Sequence, residues 1–227
     1  GNVDTYTVST GKTLTATAEQ IDGKTVNGDG SLTVTGLAVG TTNLSNVSAD
    51  IVDITAANLT SGSVTWMTVA AGDELRLTSA QATGQTIGAA TDATAVITVT
   101  GLAADANLAN VGNATATVNA TVTGTIDVTA NGDLGNVDTY TVSSDKTLTA
   151  LASQITGKTV DGAGSLIVEA LAADSNLTNV NPDGGVTALV ELDRDVTANN
   201  NLGNVDTYTV SSSKTLTATA EQIDGKT

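Results

Sequence analysis

Apolar and polar residues alternate along much of the chain. Leu14, Ala16 and Ala18 fall on one side and Thr13, Thr15 and Thr17 on the other, a period of two that belongs to a half-buried β-strand. Leu32 and Val34 alternate with Thr33 and Thr35 in the same way. In a second copy of that strand, Leu166 and Val168 keep the apolar slots while Ile167 and Glu169 replace the outward threonines. Substitution is thus concentrated on the side predicted to face solvent. Asn27-Gly28-Asp29-Gly30 and Asp161-Gly162-Ala163-Gly164 separate the strands, and these residue types suit tight turns because they tolerate positive φ. The pattern predicts short strands joined by tight turns, with Leu14, Ala16, Leu32, Val34, Leu148, Leu166, Val168 and Leu216 inside.

The alternation recurs at long range. Thr7-Val8, Thr68-Val69, Thr141-Val142 and Thr209-Val210 each open the same pattern, at similar but unequal intervals. This gives one continuous array over 1–227: repeat 1 at 7–67, a diverged repeat 2 at 68–140, repeat 3 at 141–208 and a partial repeat 4 at 209–227. Repeat 2 keeps Leu75, Gln81, Gly84, Ile97 and Val99 in the matching slots. Gly1–Thr25 and Gly203–Thr227 differ only at Thr10 and Gly11, which are Ser212 and Ser213 in the later copy. A smaller motif, Asn-Leu-x-Asn-Val, occurs at Asn43–Val47, Asn107–Val111, Asn176–Val180 and Asn201–Val205. Its asparagines fit either an internal ladder of side chains bonded to neighbouring backbone or simple turns.

A repeat of about 67 residues is short for an immunoglobulin-like sandwich, which takes ~100 residues and a bulky aromatic centre. This chain has no Phe, one Trp and three Tyr. Small and β-branched residues fill the narrow interior of a stacked solenoid, and each coil packs on the next. The expected fold is therefore all-β, a parallel β-solenoid of tandem repeats, with tandem small β-sandwich domains as the alternative. Each repeat divides into about three coils of ~22 residues, giving ~10 coils and a rod of about 50 Å at ~4.8 Å per coil. The Thr and Val content disfavours helix throughout.

Charge and missing residue types narrow the chemistry. A formal charge of −16 with 8 Lys plus Arg repels phosphate backbones, which makes nucleic acid an unfavourable partner. With no Cys and no His, thiol nucleophiles, disulfides, imidazole bases and the usual zinc or haem ligands are all excluded. No phosphate-binding loop is present. No enzyme activity is expected. No apolar run approaches the ~20 residues that span a bilayer, so no membrane span is expected, and any export signal is expected outside this segment.

The Thr13–Val26 segment, Thr-Leu-Thr-Ala-Thr-Ala-Glu-Gln-Ile-Asp-Gly-Lys-Thr-Val, and Ser31–Ala38, Ser-Leu-Thr-Val-Thr-Gly-Leu-Ala, resemble repeats of very long bacterial secreted proteins. These are giant adhesins and surface-layer-like proteins rich in Thr, Ala, Gly and Asn. The resemblance extends over nearly the whole chain and implies an extracellular or cell-surface β-strand array. The expected role is a structural segment of a filament, surface coat or adhesin stalk, with cell-surface or glycan ligands as candidate partners. No full calcium-binding glycine-aspartate nonapeptide is present.

Candidate sites are few. Glu191, Asp193 and Asp195 would share one face of a strand, and they and Asp29 are the calcium candidates; a solvated edge and a turn are the competing readings. No other cofactor is expected. All six Lys occupy two repeat slots, at Lys12, Lys146 and Lys214 and at Lys24, Lys158 and Lys226, and read as solvated turn residues that discourage edge pairing. Tyr6, Tyr140 and Tyr208 share a slot held by Met67 in repeat 2, which points to packing. Thr13, Thr15 and Thr17 form a row of the kind used by ice-binding solenoids, an alternative function. It is interrupted at Arg76, Ser79, Leu151 and Glu169. Neither terminus reads as a domain boundary or a capping repeat, so the segment is expected to be part of a longer rod, in which the array continues covalently or copies stack end to end, and the isolated segment is expected to associate end to end.

Overall fold

The computed structural model describes residues 3–37, 42–58, 64–89, 94–112 and 115–227. The chain is a parallel β-solenoid of about 10 turns. It divides into two compact units: Gly1–Leu102 with Ala106–Ala120 and Asp133–Val137, and Ala103–Asp105 with Thr121–Gly132 and Asp138–Thr227.

In the first unit the strands Thr13–Thr17, Thr25–Leu37, Val47–Asp53, Glu74–Thr78, Val96–Thr100 and the start of Thr117–Val122 stack in parallel. Their register runs Leu14 on Leu32, Leu32 on Val52, Val52 on Leu75, Leu75 on Ile97 and Ile97 on Val118. From Leu32 onward every side chain in this column is fully buried. In the second unit Ile126 stacks on Leu148, Leu148 on Leu166 and Leu166 on Val186, while Ala150, Val168, Ala188 and Tyr208 form a parallel column. Small and branched side chains suffice because each one packs between the same positions of the coils above and below.

Six of the eight predicted interior residues are buried; Leu14 and Leu216 are half-buried. Both point inward as expected. They lie in strands that are paired on one side, Thr13–Thr17 against Thr25–Leu37 and Leu216–Thr217 against Arg194–Asp195, so one neighbouring layer covers them.

Helix does occur, against the compositional expectation. Four single turns, α1 (Ala18–Ile21), α2 (Ser79–Ala82), α3 (Ala152–Ile155) and α4 (Ala220–Ile223), occupy the same repeat slot. The cause is a local capping box, which offsets poor helix propensity at a chain corner. In α1 the Gln20 N–H donates to Thr17 Oγ1 at 3.3 Å and the Thr17 N–H donates to Gln20 Oε1 at 2.8 Å. Where Leu151 replaces the threonine, α3 keeps the glutamine half, Leu151 N–H to Gln154 Oε1 at 2.7 Å.

Three kinds of coil alternate in fixed order. A helical coil carrying the Gln turn is covered by a middle coil (Leu14 on Leu32, Leu75 on Ile97, Leu148 on Leu166). The middle coil is covered by an aspartate coil (Leu32 on Val52, Ile97 on Val118, Leu166 on Val186), and that by the next helical coil (Val52 on Leu75, Ile126 on Leu148, Arg194 on Leu216). The coils that run from Leu14 to Leu32 and from Leu148 to Leu166 are shorter than the one from Val52 to Leu75. The short coils result from the glycine corners. A Cβ on Gly28 or Gly162, at φ of +101° and +98°, would overlap the Val8 or Val142 carbonyl of the preceding coil.

Candidate functional site

The most regular polar constellation joins each aspartate coil to the helical coil above it. Asp-(Ile/Val)-Thr-Ala recurs at Asp53–Ala56, Asp127–Ala130 and Asp195–Ala198. In each copy one carboxylate oxygen accepts the N–H and hydroxyl of the threonine two positions on, at 2.9 and 2.6 Å for Asp53, 2.9 and 2.7 Å for Asp127 and 3.0 and 2.7 Å for Asp195. This closes a tight turn and leaves two backbone carbonyls facing the next coil.

A glutamine of that coil takes both. Gln81 Nε2 donates to the carbonyls of Ile54 at 2.8 Å and Ala57 at 2.6 Å. Gln154 bonds Val128 and Asn131 at 2.7 and 2.6 Å, and Gln222 bonds Val196 and Asn199 at 2.6 Å each. The Oε1 of each caps its own helical turn, at Thr78, Leu151 and Thr219. One amide therefore bonds three backbone groups in two coils: its own cap N–H, the carbonyl of Ile54, Val128 or Val196, which also accepts the N–H three residues on within the turn, and the carbonyl of Ala57, Asn131 or Asn199. Gln20 makes the cap, but among the described residues its Nε2 has no acceptor. Sequence reasoning places Gln81 in the repeat slot and misses its partner. A signal exists: an Asp-(Ile/Val)-Thr-Ala turn precedes each of these glutamines by a nearly constant interval, Asp53 before Gln81, Asp127 before Gln154 and Asp195 before Gln222.

The calcium candidates serve other ends. Glu191, Asp193 and Asp195 do not share one strand, because Val186–Val190 ends before Glu191 and the next strand is Arg194–Asp195. Asp195 holds Thr197, Asp193 Oδ1 accepts the Thr215 N–H at 2.8 Å, and Glu191 Oε2 lies 3.4 Å from the Ala170 N–H. Asp29 is exposed, and Asn27-Gly28-Asp29-Gly30 does not separate two strands as expected but forms an irregularity in register within the strand Thr25–Leu37. No group of three or more acidic ligands able to hold a metal occurs among the described residues. Burial, then the charges of Glu191 and Asp127, raises the proton affinity of Glu169.

The hydrogen bonds from Thr129 and Thr197 hold the Asp127 and Asp195 carboxyls below their ordinary range. A carboxyl whose folded pKa is depressed contributes stability above its unfolded value of ~3.9 and loses it as pH falls through the folded pKa. Asp195→Asn keeps an acceptor oxygen and removes the charge. Its urea midpoint is expected to trail wild type near neutrality and to converge with it between about pH 4 and pH 2; a gap independent of pH would refute this.

The remaining motifs are structural. In Asn-Leu-x-Asn-Val the leucine and valine are buried, while the first asparagine bends its own turn, Asn43 Oδ1 accepting the Ser45 N–H at 3.0 Å and Asn107 Oδ1 the Ala109 N–H at 3.2 Å. A bond to the backbone of the preceding coil comes from the fourth position, where Asn204 Nδ2 donates to the Thr178 carbonyl at 2.9 Å, while the side chain of the first-position Asn201 accepts only the Thr178 hydroxyl, at 3.3 Å. Among the described residues there is no continuous ladder of first-position asparagines. Met67 and Tyr140 are buried in the shared slot, and Tyr6 and Tyr208 half-buried. Burial raises the Tyr140 phenol above its ordinary value. Lys24 pairs with Asp4 at 3.1 Å, and Lys226 Nζ donates to the Gly203 carbonyl at 2.9 Å. The threonine row on Thr13–Thr17 is matched by Ser31, Thr33 and Thr35, but the next coils place Ile51 and Asp53, then Glu74 and Arg76, in register.

No protein-family model, curated protein or solved structure matches the chain.

Proposed function

We propose that the chain is a structural segment of an extracellular filament, surface coat or adhesin stalk that assembles by β-strand stacking. One observation carries this reading: within each unit the strands stack coil upon coil in parallel register, Leu14 on Leu32 on Val52 on Leu75 in one and Leu148 on Leu166 on Val186 in the other. A strand edge is a template for the next strand of the same kind, so an array of this type extends by adding coils. The charge of −16 opposes lateral clumping more than axial stacking, which adds backbone hydrogen bonds in every strand. An extracellular setting accords with the acidic, Thr- and Asn-rich, Lys-poor composition.

Sedimentation velocity of the 227-residue chain tests the proposal. The expected result is a sedimentation coefficient that grows with concentration and persists when salt screens the surface charge. A monomer under all conditions, or specific turnover of a substrate, overturns it.

A further inference from the structure

The chain has two Asn-Gly pairs, Asn27-Gly28 and Asn131-Gly132, and the fold holds them differently. In such a pair the glycine nitrogen is one ring closure away from the asparagine side-chain carbon, with no Cβ to obstruct its approach. Asn27 sits in the strand Thr25–Leu37, in register with Thr7 on one side and Ser48 on the other, and its Oδ1 accepts the Thr7 hydroxyl at 2.9 Å. Gly28 packs against the Val8 main chain. Asn131-Gly132 lies outside every strand and helix. Gly132 is exposed, and its N–H has no hydrogen-bond partner among the described residues.

We propose that Asn131 is a site of spontaneous deamidation. The Gly132 nitrogen, on losing its proton to hydroxide, attacks Cγ of Asn131; the N–Cγ bond forms and the Cγ–Nδ2 bond breaks, with Nδ2 leaving as ammonia. Water then opens the resulting succinimide at either carbonyl to give an aspartyl or isoaspartyl residue. In sum, one amide and one water become one carboxylate and one ammonium. Gln154 assists, because its Nε2 donates to the Asn131 carbonyl at 2.6 Å, which draws electron density from the peptide and makes the Gly132 N–H more acidic. The same slot in the next aspartate coil supplies a contrast. Asn199 is 6% exposed, its carbonyl is held by Gln222 in the same way, and its Oδ1 accepts the Asn201 N–H at 2.9 Å. It is followed by Asn200, whose Cβ crowds the nitrogen.

The position gives the step its consequence. Asn131 belongs to an aspartate coil: its Nδ2 donates to the Ala104 carbonyl of the middle coil at 3.0 Å, and its own carbonyl accepts from Gln154 of the helical coil. Deamidation replaces the Nδ2 donor with a carboxylate set against a carbonyl, an unfavourable pairing. The isoaspartyl product also lengthens the main chain by one atom at the corner that Gln154 clasps. One uncatalysed reaction thus loosens the aspartate coil from its neighbour on each side. The reaction draws only on water and is independent of the stacking reading above.

Timed incubation of the folded chain at mildly alkaline pH, with peptide mapping by mass spectrometry, tests the proposal. Asn131 is expected to convert roughly tenfold or more faster than Asn27, which reacts only when its strand opens against both neighbours. In urea, where neither pair is held, the two rates are expected to converge. Gly132→Ala is expected to slow conversion at position 131 about tenfold or more, since the added Cβ obstructs ring closure. The variant keeps the fold, because Gly132 has no left-handed φ and nothing lies within 4 Å of its Cβ position. Asn131→Asp reproduces the aspartyl product and is expected to have a lower urea midpoint than the unconverted chain; an unchanged midpoint would overturn the loosening. A folded chain whose Asn131 stays intact while the urea-treated chain converts, or whose Asn27 converts as fast as Asn131, would overturn the site itself.

Discussion

Gly162→Ala is expected to lower the unfolding free energy by about 3 kcal/mol or more, through a left-handed backbone and overpacking against main chain. Gly162 has φ +98°, and a Cβ there would meet the Val142 carbonyl oxygen, with the Val142 nitrogen 2.8 Å away. Those atoms belong to the neighbouring coil, and Val142 O is already the acceptor for the Gly164 N–H at 2.9 Å. The neighbour cannot retreat without breaking that bond. Gly157→Ala is the control for the conformational part: Gly157 also has positive φ, +73°, but nothing lies within 4 Å of its Cβ position. Urea denaturation of both variants checks the expectation, and equal midpoints would show that close approach contributes nothing.

Gln81→Leu is the second large effect. Gln81 is 5% exposed, and leucine of similar size takes the side-chain partner from the Ala57 carbonyl and the Thr78 N–H and leaves the Ile54 carbonyl only its turn bond from the Ala57 N–H. At ~1 kcal/mol for each lost bond, with more for a buried group left unsatisfied, the expected loss is about 3–4 kcal/mol. Gln20→Leu removes only the cap, in an exposed position, and should cost about 1 kcal/mol. A common value for the two variants would mean that the bonds between coils add little beyond the cap.

The fold was legible because its rule is local. Alternation at Leu32 and Val34, and again at Leu166 and Val168, marked which face is inside, and the shortage of aromatics spoke for a narrow interior. The helical turns were not legible from propensity, since the Thr- and Val-rich composition argues against helix. They follow from Thr17 and Gln20, three positions apart, whose caps outweigh the intervening residues. The Gln clasp was harder to find, because its halves lie 23 to 27 residues apart and one half is a backbone carbonyl with no residue identity to read. Its sequence marker is the aspartate that shapes the turn. Asp195 was visible as part of an acidic cluster with Glu191 and Asp193, yet its role became clear only beside Asp53 and Asp127, which have no such cluster around them. Leu14 and Leu216 show a further limit: alternation reports the direction of a side chain, while burial depends on what lies above and below it.

The alternation of helical, middle and aspartate coils also sets the step by which a gene for such an array can change length. Removing an aspartate coil would set a glutamine over a middle coil and strand its donor, and removing a helical coil would set a middle coil over an aspartate turn and strand the turn's carbonyls. Removing or duplicating three consecutive coils returns every layer to its accustomed neighbour. Unequal recombination between repeats, whose DNA is most alike at the same phase, produces changes of that size. Length variants that fold should therefore differ by whole triplets of coils, with the single-coil classes purged as misfolded products.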